Sequence, residues 1–129
     1  MTPDIPLLPL VLVVDDYADA REMYSQYLKF SGFRVAQASD GAQALEQAFL
    51  LLPDVILMDM SLPVMDGWEA TSRLKADTRT RHIPVVALTG HADTQRTDTY
   101  DAFLLKPCPP DDMVQQIRRV LSKAQPPRS

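Results

Sequence analysis

Leu10-Val11-Leu12-Val13-Val14-Asp15-Asp16 is the stretch on which the rest of the chain is read. Its first five residues are wholly apolar, as in a strand covered on both faces, and strands of that kind belong to parallel sheets. Two carboxylates follow at once. In an open parallel sheet, ligands bind outside the carboxyl ends of the strands, so the acidic pair stands where chemistry is expected.

Working outward, helical and strand-like segments alternate. From Ala18 to Phe30, Met23, Tyr24, Tyr27 and Leu28 recur at helical spacing, and Gly32 is a natural stop just beyond. Phe33 to Ala38 reads as a second strand. Ser39-Asp40 can cap a helix whose apolar stripe is Ala42, Leu45, Phe49 and Leu52, ended by Pro53. Val55 to Met58 is a third strand, and the helix after it carries Trp68, Thr71 and Leu74. Val85 to Leu88 and Ala102 to Leu105 are further strands. The last helix opens at Pro110-Asp111-Asp112 and presents Met113, Val114, Ile117, Val120 and Leu121 on one face.

Five strands alternating with helices imply an α/β fold, a doubly wound five-stranded parallel sheet with helices on both faces. The flavodoxin-like order 2-1-3-4-5 is the natural one for five strands. At 129 residues the chain fits one domain. Residues 1-9 read as an N-terminal tail, 10-124 as the domain and 125-129 as a C-terminal tail. The net charge of -4 argues against general nucleic-acid or anionic-membrane binding. Cys108 is the single cysteine, which excludes an internal disulfide and suits a reducing compartment. The apolar run Ile5 to Val14 lacks the basic flank and cleavage site of a signal peptide, and no stretch has the length of a membrane span. A cytoplasmic protein is expected.

The strand ends carry the functional signal. Asp15-Asp16 close strand one, Asp59 closes strand three, Thr89 strand four and Lys106 strand five. Each has a bland reading: an acidic pair after a strand is usually a turn or cap, and Thr89 and Lys106 singly are capping and solvated. Asp59 follows Val-Ile-Leu-Met, where a lone carboxylate is costly without partners. Together the bland readings need four coincidences on one rim. Carboxylates ~5 Å apart repel by roughly 3 kcal/mol per pair in a protein-like dielectric, which a hard cation such as Mg²⁺ relieves. A carboxylate beside the metal can attack phosphorus, and Lys106 can neutralise charge on the phosphoryl oxygens.

Val-Asp-Asp at 14–16, Met-Asp-Met-Ser-Leu-Pro-Val-Met-Asp-Gly at 58–67, Ala-Leu-Thr at 87–89 and Lys-Pro at 106–107 together resemble the receiver domain of two-component signalling, over about residues 10 to 122. The resemblance implies a phosphorylation-dependent switch rather than an enzyme, with Asp59 as phosphoacceptor. It implies Mg²⁺ held by Asp16 directly, by Asp15 largely through water, by Asp59 and by the backbone carbonyl of Ser61. Thr89 and Phe103 would be the switch pair, the Lys106-Pro107 peptide would be cis, and the Pro63 to Gly67 turn would support the loop after strand three. A histidine kinase or phosphotransfer protein would supply the phosphoryl group. Output would pass through a downstream protein contact, with no direct nucleic-acid or membrane binding, from a monomer or weak dimer.

Departures from the family concern the output face. Thr99-Tyr100 stands where Gly-Ala is common, Cys108 where a bulky apolar residue is usual, and Phe103 lacks the hydroxyl of the commoner tyrosine. Between Gly90 and Asp101 only Ala92 and Tyr100 are apolar, so the fourth helix of the family is expected to be shortened or missing. Three rivals remain. A Mg²⁺-dependent aspartyl-phosphate phosphatase of the haloacid-dehalogenase type needs a second Asp where Ser61 stands and a nucleophile on the first strand. A flavin-nucleotide binder would meet an acidic, phosphate-repelling first loop. A receiver-shaped module not regulated by phosphate would lack the acceptor or the acidic pair.

Overall fold

The computed structural model describes residues 8–62, 65–90 and 100–124. Five strands, β1 (Leu10–Val14), β2 (Arg34–Ala38), β3 (Val55–Asp59), β4 (Val85–Thr89) and β5 (Ala102–Leu105), form one sheet in the order β2-β1-β3-β4-β5. Every pairing is parallel. Among the described residues the helices are α1 (Ala18–Phe30), α2 (Gly41–Leu51), α3 (Gly67–Ala76) and α4 (Pro110–Ala124). This is the flavodoxin-like architecture that the alternation implies.

The two-residue pleat sorts the strand side chains onto two faces. Val11, Val13, Leu57, Val86 and Leu88 pack with Tyr24 and Leu28 of α1 and with Met113 and Ile117 of α4. Leu12, Val14, Ile56, Met58, Val85 and Ala87 pack on the other side with Ala44 and Ala48 of α2 and Leu74 of α3. Both faces are covered, so β3 has no exposed residue and ends in a buried carboxylate. Full burial of each such aliphatic side chain stabilises by about 1.5–3 kcal/mol.

Two helices are rotated from the expected stripes. In α1, Met23 is 51% exposed and Ser25 is buried in its place, its hydroxyl donating to the Arg21 carbonyl at 2.7 Å. In α2 the buried face is Gly41, Ala44 and Ala48, whereas Ala42 is exposed and Leu52 is 53% exposed. Small residues inside let α2 lie close to its neighbours. A Cβ on Gly41 would stand 2.2 Å from the Met65 carbonyl oxygen. Asp40 does cap α2, accepting from the Gln43 N–H at 2.8 Å. Gly32, with φ of 99°, closes α1 in the left-handed region that glycine tolerates.

The expectations for the stretch between Gly90 and Asp101 and for the two tails fall largely on residues 91–99, 1–7 and 125–129, and that for the Pro63 to Gly67 turn falls in part on 63–64, outside the described residues. No helix among the described residues is long and apolar enough to cross a membrane.

Candidate functional site

β1 and β3 are neighbours, and their ends place three carboxylates together. One oxygen from each of Asp15, Asp16 and Asp59 lies within 4.8 Å of the others. Asp15 and Asp59 are buried, while Asp16 is exposed. Asp59 is held at both oxygens: Oδ1 accepts from the Ser61 N–H at 2.9 Å, and Lys106 Nζ donates to Oδ2 at 3.1 Å. Asp15 Oδ1 accepts from the Tyr17 N–H at 2.9 Å, the turn role of an acidic residue after a strand. Its Oδ2 is buried with no hydrogen-bond partner among the described residues.

The electrostatics follow from this crowding. Burial pushes the Asp15 carboxyl above its ordinary pKa. The Tyr17 hydrogen bond opposes that, and the Asp59 charge adds to it. Burial alone would lower the pKa of Lys106, but its hydrogen bond to Asp59 and the charges of Asp59 and Asp15 outweigh this and raise it. Three hard oxygen donors facing one ammonium, with one buried oxygen unsatisfied, make a donor set that fits a hard divalent cation. Beside the cluster an open cleft of about 550 Å³ runs over Ala20, Met23, Tyr24, Pro107 and Cys108.

The remaining rim residues occupy different places. Ser61 is exposed, two residues past the end of β3. Thr89 ends β4, and its carbonyl accepts from the Lys106 N–H at 2.8 Å, which ties the lysine to its neighbour strand. The Lys106–Pro107 peptide is cis. Phe103 lies outside the carboxylate cluster. It is 42% exposed on β5 and packs edge-on to Tyr100 at 5.8 Å, and Tyr100 in turn meets Trp68 at 5.6 Å. One contact has no expectation behind it: Arg21 Nη1 donates to the Asp15 carbonyl at 2.7 Å. Its sequence signal was slight, an arginine one turn into the helix that follows the acidic pair.

Residues 11–118 match the response regulator receiver domain family. The chain belongs to that family. Among curated proteins the receiver is 33% identical over 121 residues to the DNA-binding dual master transcriptional regulator RpaA of Synechocystis, covering 90% of this chain and 50% of RpaA. The receiver spans about half the length of the curated relatives it matches. Among solved structures it superposes on the chemotaxis protein CheY4 of Vibrio cholerae with a TM-score of 0.82 at 30% identity, covering 88% of this chain and 98% of that one. The receiver domain of the sensor histidine kinase PA1611 of Pseudomonas aeruginosa gives a TM-score of 0.82 at 29% identity, covering 89% and 98%. That structure has a magnesium ion coordinated in its active-site cleft.

Receivers of this family are switches of two-component signalling. Phosphorylation-dependent switching, magnesium at the acidic site and interaction with histidine kinases or phosphotransfer proteins are general among them.

Proposed function

We propose that this receiver accepts a phosphoryl group on Asp59 from a phosphohistidine of a histidine kinase or phosphotransfer protein. One observation carries the reading: Asp59 is buried, paired with Lys106 at 3.1 Å, and within metal-ligand reach of Asp15 and Asp16. A Mg²⁺ ion would be held by Asp15, Asp16, Asp59 and the backbone carbonyl of Ser61, and when bound it supplies positive charge to the phosphoryl oxygens. Asp59 attacks phosphorus, an O–P bond forms, and the P–N bond to the donor imidazole breaks with its electron pair leaving on nitrogen. Lys106, positioned by β5 and by its N–H bond to Thr89, moves its ammonium from the Asp59 carboxylate to the new phosphoryl oxygens. Hydrolysis of the acyl phosphate returns the carboxylate, so the cycle is self-assisted and the protein is a switch rather than an enzyme with a separate substrate.

Thr89 and Phe103 form the switch pair in this reading. Thr89 donates its hydroxyl to the phosphoryl group, and Phe103 turns on its edge strand against Tyr100. Residues 10–124 act as the receiver unit, flanked by tails 1–9 and 125–129. The unit works in the cytoplasm as a monomer or weak dimer, its output a contact with a downstream protein and not direct binding of nucleic acid.

Incubation with acetyl phosphate or phosphoramidate tests the central step. Mass spectrometry should show one added phosphoryl group, dependent on Mg²⁺, and none on the Asp59→Asn protein. An adduct of equal yield on Asp59→Asn would sink the assignment.

A further inference from the structure

We propose that Arg21 is a positioning residue for the acidic pair: its guanidinium locks the turn after β1 so that Asp15 keeps Oδ2 free for a divalent cation. The inference rests on reading the carboxylate cluster as the Mg²⁺ site.

Asp15 has four hydrogen-bonding positions, and three are fixed by protein. Its N–H donates to the Ala38 carbonyl at 3.1 Å, which joins it to the end of β2. Its Oδ1 accepts from Tyr17, and its carbonyl accepts from Arg21 Nη1 at 2.7 Å. The one position left is Oδ2, buried and without a partner among the described residues. Arg21 is itself braced, because Nε donates to Gln37 Oε1 at 3.1 Å on the edge strand β2. Gln37 is in turn linked to Glu22, which also accepts from Gln26 at 3.1 Å. A planar guanidinium with donors in a rigid fork can hold a main-chain carbonyl and a side-chain amide at once, which a lysine cannot.

The sign of the electrostatics makes the idea testable. Arg21 is a fixed positive charge beside a cation site, so by Coulomb repulsion alone it weakens Mg²⁺ binding. Removing it should then tighten binding. If its role is to hold the turn, removal weakens binding despite the lost repulsion. A role confined to general stability would shift the unfolding midpoint and leave the affinity of the folded protein unchanged.

The experiment is a calorimetric titration of MgCl₂ into the wild type, Arg21→Met, Arg21→Lys, Gln37→Leu and Asp16→Ala. We expect Arg21→Met to raise the Mg²⁺ Kd about five-fold or more. Arg21→Lys, with the charge kept and the fork lost, should fall between it and wild type. Gln37→Leu, which leaves the arginine but removes its brace, should raise Kd about two-fold. Tighter or unchanged binding by Arg21→Met overturns the proposal. Should that variant not fold, wild-type affinity in both Arg21→Lys and Gln37→Leu overturns it instead. Failure of the wild type to bind Mg²⁺, or unchanged binding by Asp16→Ala, overturns the magnesium reading and this proposal with it. Those two outcomes are distinct from a wild type that binds normally beside an unaffected Arg21→Met.

Discussion

Lys106 reaches Asp59 across an intervening strand: β4 lies between β3 and β5, yet Nζ stands 3.1 Å from Oδ2. Neighbouring strands are about 4.8 Å apart, so roughly 10 Å separates β3 from β5; the lysine stem, the hydrogen bond and the Asp59 side chain together cross it and place one charge among three carboxylates. Removing that charge leaves Asp59 buried beside Asp15 with no ion-pair partner among the described residues.

Lys106→Met should therefore destabilise the metal-free protein at neutral pH. The lysine is about one-third exposed, so the cost falls below the fully buried limit, at about 1–3 kcal/mol. The pH dependence has a defined sign. The folded pKa of Lys106 is raised, so the stabilisation is complete below the ordinary lysine range and is lost as pH rises through the folded value. Urea unfolding with and without MgCl₂ checks both claims. The deficit should shrink when Mg²⁺ is added, and an unchanged midpoint in metal-free buffer would refute the role.

Asp15→Asn should do the opposite. Burial and the nearby Asp59 charge disfavour the ionised Asp15 carboxyl, and its Oδ2 has no partner among the described residues. A neutral amide of the same shape relieves the repulsion, and the metal-free protein should gain about 1 kcal/mol at pH 7. Because the folded pKa is raised, the ionised carboxyl costs stability as pH rises past the ordinary carboxylate range. The gain from the amide should thus fade when unfolding is repeated near pH 4. The same variant should bind Mg²⁺ more weakly.

Gly67→Ala sets helix propensity against packing. Alanine favours a helix over glycine by about 1 kcal/mol. A Cβ at position 67, however, would stand 2.4 Å from the Asp59 carbonyl oxygen and 2.8 Å from the Met60 Cα. Both are backbone atoms of the acceptor loop and cannot swing aside. Overpacking should win, with a net loss of about 1–3 kcal/mol. The loss should appear in the denaturant midpoint together with slower phosphoryl uptake. A stabilised variant with unchanged uptake would contradict this account.

Cys108 should behave as a packed thiol. It is buried, its Sγ lies 3.5 Å from the Pro109 carbonyl, and burial, reinforced by the Asp112 charge, raises its pKa above the ordinary thiol value. The thiolate is the reactive form, so iodoacetamide at pH 7.5 should label the native protein at least ten-fold more slowly than the urea-unfolded one. Equal rates would show that the thiol is reached freely from the cleft.

Much of the molecule was legible in the residues. Wholly apolar runs at 10–14 and 55–58, too short for ordinary helices, read as strands covered on both faces, and alternation with helices then leaves few strand orders. Strand direction carries the end of every strand to one rim, so the sequence alone puts Asp15, Asp16, Asp59, Thr89 and Lys106 on the same edge. Tertiary packing decided what periodicity cannot express. The burial of Ser25 and exposure of Met23 in α1, and the choice of Gly41, Ala44 and Ala48 over Ala42 and Leu52 in α2, depend on how closely each helix lies on the sheet. That spacing comes from side-chain volumes on two elements at once. The Arg21 bond to the Asp15 carbonyl and the approach of Gly67 to Asp59 are likewise single contacts across a turn, and the burial of Asp15 Oδ2 depends on several elements at once. Such contacts repeat with no period along the chain, so only the folded arrangement determines them.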